Sequence, residues 1–386
     1  MGEARWVLAV DHGTSTTTGA VADVDPDDGW TRVATVPVDG APELPSVVLS
    51  RSDGVVLAGR PALEAAHADP PAAVLRARDY LGAATGGRDD ALLATWPRPT
   101  TAVNVATALV ARILQAEAGR RGSAPALLAL VHPPSWTDPA TGRAALTAAG
   151  RSALRAVDGA ADAEVALVAA PVAAAVRLGG SGPVVVVDLG GGGTEVAVVD
   201  RTEGEHGTTA ATLRPGTRTV EVGAESLDDA LTQLVLDRAR PALADRIRFS
   251  ADPEAHRAYF WLRRGVHDAK RRLGTDGFVD IAVPVLPPDN PGPGTVRITH
   301  DDLGPLFAPA LEQVGAATVD LLDSSGGERP PLLVRGGIAA LPGVRDWLAA
   351  RTGCGLAGVE DPGAASSTGL VCGAAAWAAD RAGLGR

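Results

Sequence analysis

Short blocks of consecutive apolar residues alternate along this chain with stretches in which apolar residues recur every three or four positions. Blocks of the first kind read as buried strands, and stretches of the second as amphipathic helices. The strongest strand signals are Val7-Leu8-Ala9-Val10 and Val184-Val185-Val186-Val187. Each runs into an aspartate, a turn of small residues and a second β-prone run. The first reads Asp11-His12-Gly13-Thr14-Ser15-Thr16-Thr17-Thr18-Gly19-Ala20-Val21, and the second Asp188-Leu189-Gly190-Gly191-Gly192-Gly193-Thr194-Glu195-Val196-Ala197-Val198-Val199. Two β-hairpins are expected. Val184 stands 177 positions after Val7, close to half of the 386 residues, so the hairpins are read as equivalent parts of duplicated halves.

Helical spacing marks Ala102 to Ala118, ending at Gly119, and Thr141 to Ala156. It also marks Ser226 to Ala244, with Ser226 as N-cap and Asp228 and Asp229 in the first turn, Arg257 to Leu273, and Leu306 to Leu322. Pro37 to Pro45, Gly86 to Pro99, Arg201 to Thr217 and Pro284 to Gly294 read as loops. The interleaving of strands and helices predicts an α/β fold.

Composition narrows the class. With 46% hydrophobic and 21% charged residues the chain is globular, and its length suits two domains at roughly 150 residues each. Aromatics make up only 3%, so Ala, Val and Leu must build the core. A net charge of −11 argues against a broad electrostatic grip on nucleic acid or an anionic membrane. Cys354 and Cys372 are the only cysteines; they exclude a zinc knuckle or disulfide scaffold and read as buried thiols. No apolar run reaches a membrane span, and Met1-Gly2-Glu3-Ala4-Arg5-Trp6 lacks a signal peptide's apolar core. A cytosolic protein without nucleic-acid, membrane or zinc partners is expected. Lys270 is the only lysine among 35 basic residues, so arginine in a lysine's place carries little weight.

An aspartate at the end of a buried strand, beside a turn of Gly and Thr, is suited to a nucleotide phosphate. Unpaired N–H groups in the turn converge on an anion, hydroxyls add donors, and the carboxylate holds Mg²⁺ through its water shell. Two such turns facing each other would clamp one polyphosphate.

Further segments carry a resemblance. They are Leu44-Pro45-Ser46-Val47-Val48, Leu57-Ala58-Gly59-Arg60-Pro61-Ala62, Val74 to Gly82, Val131-His132-Pro133-Pro134-Ser135-Trp136-Thr137-Asp138 and Ala170-Pro171-Val172-Ala173-Ala174-Ala175. Gly223-Ala224-Glu225-Ser226-Leu227-Asp228, Ala269-Lys270-Arg271-Arg272-Leu273, Arg335 to Pro342 and Gly373-Ala374-Ala375-Ala376 come after them in order. With both turns, this series resembles the nucleotide-binding domain of the DnaK-type heat-shock chaperones, within the actin-like ATPase superfamily. The resemblance implies two ribonuclease-H-like lobes, 1–180 and 181–362, with outer subdomains near 38–122 and 223–298, a central nucleotide cleft, and residues 363–386 as a helix returning to the first lobe. It implies ATP or ADP with Mg²⁺ as cofactors, and no peptide-binding domain within this chain.

Carried over residue by residue, the resemblance makes Asp11, Gly13, Thr14, Ser15 and Thr16 the first phosphate loop, and Asp188, Gly190, Gly191 and Gly192 the second. Asp11 and Asp188 would hold Mg²⁺ through water. Lys270, Arg271, Glu225, Gly336 and Gly337 would form the adenosine side, and His12 is a bystander. The catalytic groups depart from the family. Its lysine falls on Arg78, its water-binding glutamate on Ala170, and its aspartate on Glu195. Its threonine falls on Gly193, unless Thr194 substitutes in a rearranged turn. The serine and base-stacking arginine of the family's G-G-S-x-R fall on Ile338 and Ala340, leaving Arg335 as a candidate replacement. One lost stacking contact, roughly 0.5–2 kcal/mol, weakens binding without abolishing it. The expectation is a chaperone-like ATP-binding protein with weak or lost hydrolysis, whose lobe closure a protein partner reads. The rival is a non-catalytic scaffold of the same fold; a sugar kinase and a filament-forming actin relative fit less well.

Overall fold

The computed structural model describes residues 5–24, 31–81, 92–94, 99–137, 142–204, 208–239, 241–249, 252–286, 294–358 and 367–384. Two mixed sheets organise them. In the first the strands lie in the order Glu164–Ala169, Leu127–His132, Trp6–His12, Thr16–Val24, Thr31–Thr35, and Glu43–Pro45 also pairs with Thr16–Val24. In the second the order is Thr209–Leu213, Thr194–Glu203, Gly182–Leu189, Leu332–Arg335, with Arg218–Val220 on Thr194–Glu203.

One scheme builds both sheets. Each starts from an antiparallel hairpin, in register at Val7↔Ala22 and at Val185↔Val198. A third strand adds antiparallel to the second, at Ala22↔Val33 and Val199↔Leu213. A later strand then lies parallel to the first, at Val7↔Leu127 and Val185↔Leu332. That later strand comes after a long helix in both cases, Ala102–Arg121 or His300–Ser324.

Alternation along the strands decides the layers. Trp6, Leu8 and Val10 join an outer core with helices Ala102–Arg121 and Gly142–Arg155, whereas Val7 and Ala9 face inward. Val185 and Val187 likewise face a second outer core, and Val184 and Val186 point inward. Between the inward faces lie two alanine-rich helices, Ala170–Leu178 and Ser367–Arg381. A Cβ on Gly373 would run into the Ala173 carbonyl, so only glycine lets these helices approach as closely as they do.

Several boundaries differ from expectation, each for a local reason. The expected helix from Ser226 to Ala244 is two helices, Ala224–Ala239 and Pro241–Phe249, and proline at 241 can supply no N–H to continue the first. Ser226 lies inside the first turn rather than capping it. The expected loop from Arg201 to Thr217 holds the end of strand Thr194–Glu203 and strand Thr209–Leu213, because neither run contains a proline to interrupt the ladder. Glu43–Pro45 is a short strand within the expected Pro37 to Pro45 loop, and Leu92–Ala94 is another within the Gly86 to Pro99 stretch. The rest of that stretch, most of Pro284 to Gly294 and the boundary at 362 lie outside the described residues. The first long helix passes Gly119 and stops at Gly122, which takes the left-handed conformation. Cys354 is buried, Cys372 half-buried, and both are free thiols.

Outside the sheets, strands Val48–Ser50, Val56–Ala58 and Ala73–Val74 pack with the short helix Arg60–Ala66. On the opposite side, helix Pro253–Leu273 lies on the hairpin of Phe278–Ala282 and Thr295–Thr299. The two outer parts meet: Phe260 joins the Val47–Leu49 cluster, and the His67 ring stacks on Trp261 with centroids 3.7 Å apart. Among the described residues no helix is long and apolar enough to cross a membrane.

Candidate functional site

The turns of the two equivalent hairpins meet at one cleft of about 530 Å³. Fifteen of the residues singled out in the sequence line it: Asp11, Gly13, Thr14, Ser15 and Thr16; Asp188, Gly190 and Gly191; Arg78; Lys270 and Arg271; Arg335, Gly336, Gly337 and Ala340. Gly192, Gly193, Thr194, Glu195 and Glu225 lie around it without lining it.

Backbone geometry explains why the turns are glycine-rich. Gly13 N–H donates to the Thr16 carbonyl at 3.0 Å, and a Cβ on Gly13 would lie 2.6 Å from that oxygen. In the second turn, the carbonyls of Gly190 and Gly191 accept from the amides of Ala224 at 2.8 Å and Glu225 at 3.0 Å. The turn thereby caps helix Ala224–Ala239 with its oxygens; its Gly190 N–H donates to the Asp188 carbonyl at 3.0 Å, while those of Gly191 and Gly192 remain for other acceptors. Among the described residues, the amides of Thr14, Ser15, Gly191 and Gly192 have no hydrogen-bond acceptor. A Cβ on Gly191 would lie 2.6 Å from Ser15 Oγ, which is how closely the two turns face each other. Thr14, Ser15 and Gly191 of these line the cleft from both turns, and unpaired turn amides of this kind suit an anion.

The charges around the cleft are arranged unevenly. Arg78, on the short helix Ala77–Leu81, makes no hydrogen bond or ion pair among the described residues, and its charge acts on Asp11, His12 and Glu195. Burial pushes Asp11 above the ordinary carboxylate range, partly offset by Arg78 and Arg335, and its buried Oδ1 has no partner. His12 is buried, bonded through Nδ1 to Thr17 Oγ1 at 3.1 Å, and pushed down to about 3 by burial and Arg78. It stays neutral. Asp188 pairs with the guanidinium of Arg335, which is itself only 3% exposed. Lys270 is equally committed, donating to the Ala224 carbonyl at 3.0 Å and facing Asp228 Oδ1 at 2.6 Å. Arg271 reaches across the mouth to Glu43 at 3.0 Å.

The remaining expected residues serve other contacts. Thr194 is fully buried and donates to the Val222 carbonyl at 2.6 Å, so its hydroxyl does not substitute for the threonine that Gly193 replaces. Glu195 accepts from Ser135 Oγ at 2.5 Å, and burial pushes it up to about 7. Glu225 accepts from Ser15 Oγ at 2.8 Å and pairs with Arg263 at 3.1 Å, tying the first turn to the far side of the cleft. Ala170 begins helix Ala170–Leu178, buried and without a polar side chain. Ile338 is fully buried, and Ala340 lines the cleft where an arginine was expected to be missing.

This donor set suits a phosphate better than it suits Mg²⁺. A hydrated cation needs carboxylates with uncommitted charge. Asp188 is already paired with Arg335, and Asp11 is buried with the positive charges of Arg78 and Arg335 acting on it. Among the described residues, no group of three or more His, Cys, Asp or Glu side chains has the spacing of a metal site.

The cleft also contains residues that sequence reasoning passed over, namely Glu43, His267 and Arg345. Arg345 stands near the start of helix Val344–Thr352, its guanidinium 3.4 Å from the Val334 carbonyl. Its only signal in the sequence was proximity to Gly336-Gly337. Comparison of the chain with protein-family models gives no match, and comparison with curated proteins gives none either.

Proposed function

We propose that this chain binds a nucleoside polyphosphate, ATP or ADP, in the cleft, as a heat-shock-chaperone-like relative of the actin-like ATPases. One observation carries the reading: two hairpins, at equivalent places in two sheets of one scheme, offer unpaired turn amides to a single cleft from opposite sides. The shared scheme supports a duplicated, two-lobed, ribonuclease-H-like architecture. On this reading the phosphates sit between the Gly13–Thr16 and Gly190–Gly192 turns with Arg78 as the uncommitted cation. The nucleoside lies towards Gly336, Gly337, Ala340, Arg271 and Arg345.

Hydrolysis is weak or lost on the same reading. Arg78 can neutralise and orient a phosphate but cannot accept a proton. Ala170 offers no carboxylate to a water, and the Thr194 hydroxyl is spent on the Val222 carbonyl. Loss of one well-placed polar group costs ~10²-fold in rate, so two such losses leave little of a slow ATPase. The chain's useful step is then opening and closing of the cleft, sensed by a protein partner.

Calorimetric titration of the whole chain with ATP and with ADP tests the reading, alongside thermal unfolding. A heat of binding and a rise in melting temperature at millimolar nucleotide are expected. No heat and no shift at that concentration sinks it. Single-turnover hydrolysis should not exceed that of Asp11→Asn.

A further inference from the structure

Arg335 is the last residue of strand Leu332–Arg335, and the parallel register sets it directly against Asp188. Its Nη1 donates to Asp188 Oδ2, and its side chain is 4% exposed. The neighbouring glycine fixes its place. Gly336 has φ of 98°, and a Cβ there would collide with the Leu189 carbonyl, so only glycine lets the strand end pack this closely on the second hairpin. The Nε of Arg335 and the Oδ1 of Asp11 are both buried without a partner. A fixed guanidinium, its Nε buried and unpaired, therefore stands beside the two aspartates expected to serve a divalent cation, paired with Asp188 and acting on Asp11 through its charge.

The charge of the whole cleft agrees. Although the chain carries a net charge of −11, the described lining holds five cationic side chains (Arg78, Lys270, Arg271, Arg335, Arg345) against three carboxylates. A guanidinium offers a phosphate two parallel N–H donors and permanent charge without any coordination shell. A Mg²⁺ ion brought beside it would be repelled by it and would compete with it for Asp188.

We propose that the Arg335 guanidinium takes the place of the divalent cation in this cleft, so that the site accepts a nucleoside polyphosphate without Mg²⁺. The proposal rests on the nucleotide reading above, but it concerns the charge that meets the phosphates rather than the nucleoside.

The test is calorimetric titration of the full chain with ATP, in excess EDTA and in millimolar MgCl₂, with tripolyphosphate in EDTA as a second probe. For the wild type we expect ATP affinities within about threefold of each other in the two buffers, since direct ion pairing supplies the charge. Arg335→Leu should lose metal-free ATP binding by about tenfold or more, the scale of one charge-assisted pair, and recover part of it with Mg²⁺ as Asp188 is released. Because Arg335→Leu leaves a half-buried carboxylate unpaired and can fail to fold, Asp188→Asn is the second variant. It frees Arg335, so metal-free ATP should bind it at least as tightly as the wild type. Loss of wild-type ATP binding in EDTA, or unchanged metal-free binding in Arg335→Leu, or weakened metal-free binding in Asp188→Asn, overturns the proposal while leaving nucleotide binding intact. Tripolyphosphate binding in EDTA without any ATP binding supports Arg335's role and overturns the nucleotide reading instead. Absence of binding by both probes overturns both.

Discussion

Glu195 illustrates how one residue step decides a role. In the second hairpin it pairs in register with Asp188, and Thr194 pairs with Leu189. Cross-strand partners share a face, so Glu195 points to the side of Asp188 while Thr194 turns into the core. Burial and the charge of Asp188 both oppose ionisation of Glu195, and the contacts with Ser135 and Arg78 only partly compensate. The folded protein thus keeps this proton up to about pH 7, while the unfolded chain releases it near the ordinary value of 4.5. Between those values the folded state binds more protons, so stability falls as pH rises through the window and levels off above it. The slope is at most about 1.4 kcal/mol per pH unit for one proton. In urea unfolding across a pH series, Glu195→Gln should show a shallower decline than the wild type. Matching profiles for variant and wild type would show that Glu195 titrates like an exposed carboxylate.

At the scale of elements, the hairpins were legible because their signal is local: an apolar run, an acidic residue, a glycine turn and a second run. The long helices were legible for the same reason, with errors at their ends where Pro241 and Gly122 act. What the sequence could not display were pairings set by sheet register between distant segments. Arg335 meets Asp188 across 147 residues, and nothing in Leu332-Leu333-Val334-Arg335 distinguishes a buried ion pair from a solvated strand end. The alanine-rich layer between the sheets behaves the same way. The shortage of aromatics was plain, but the close crossing of helices Ala170–Leu178 and Ser367–Arg381 was not. At that crossing a Gly373→Ala methyl would press on a backbone carbonyl that no rotamer change can move. We expect a loss of roughly 1–3 kcal/mol, the usual range for overpacking, in chemical denaturation with an unchanged m-value. A neutral effect would mean that the two helices part freely.

The whole molecule is held shut by contacts that bridge the cleft at separate points. Ser15 meets Glu225, Glu43 meets Arg271, Ser135 meets Glu195, and beyond the mouth His67 stacks on Trp261. Each is exposed or half-buried and individually modest, so the two sides of the cleft are held together by a sum of small terms. An aromatic stack contributes about 0.5–1.5 kcal/mol, so Trp261→Ala should raise the population of open molecules by up to about tenfold. Faster hydrogen–deuterium exchange across residues 13–16 and 190–192, with global stability nearly unchanged, is the expected signature. Unaltered exchange there would show that the stack does not hold the cleft. Lys270 gives a different motion, within the core that helices Ala224–Ala239 and Pro253–Leu273 share, a chemical readout. As the only lysine, locked between the Ala224 carbonyl and Asp228 at 4% exposure, it leaves the folded chain with no accessible side-chain amine among its described residues. Acylating reagents should therefore modify Lys270 only as fast as helix Pro253–Leu273 lifts from helix Ala224–Ala239. Peptide mass spectrometry of the labelled protein would follow the gain of that one acyl group over time.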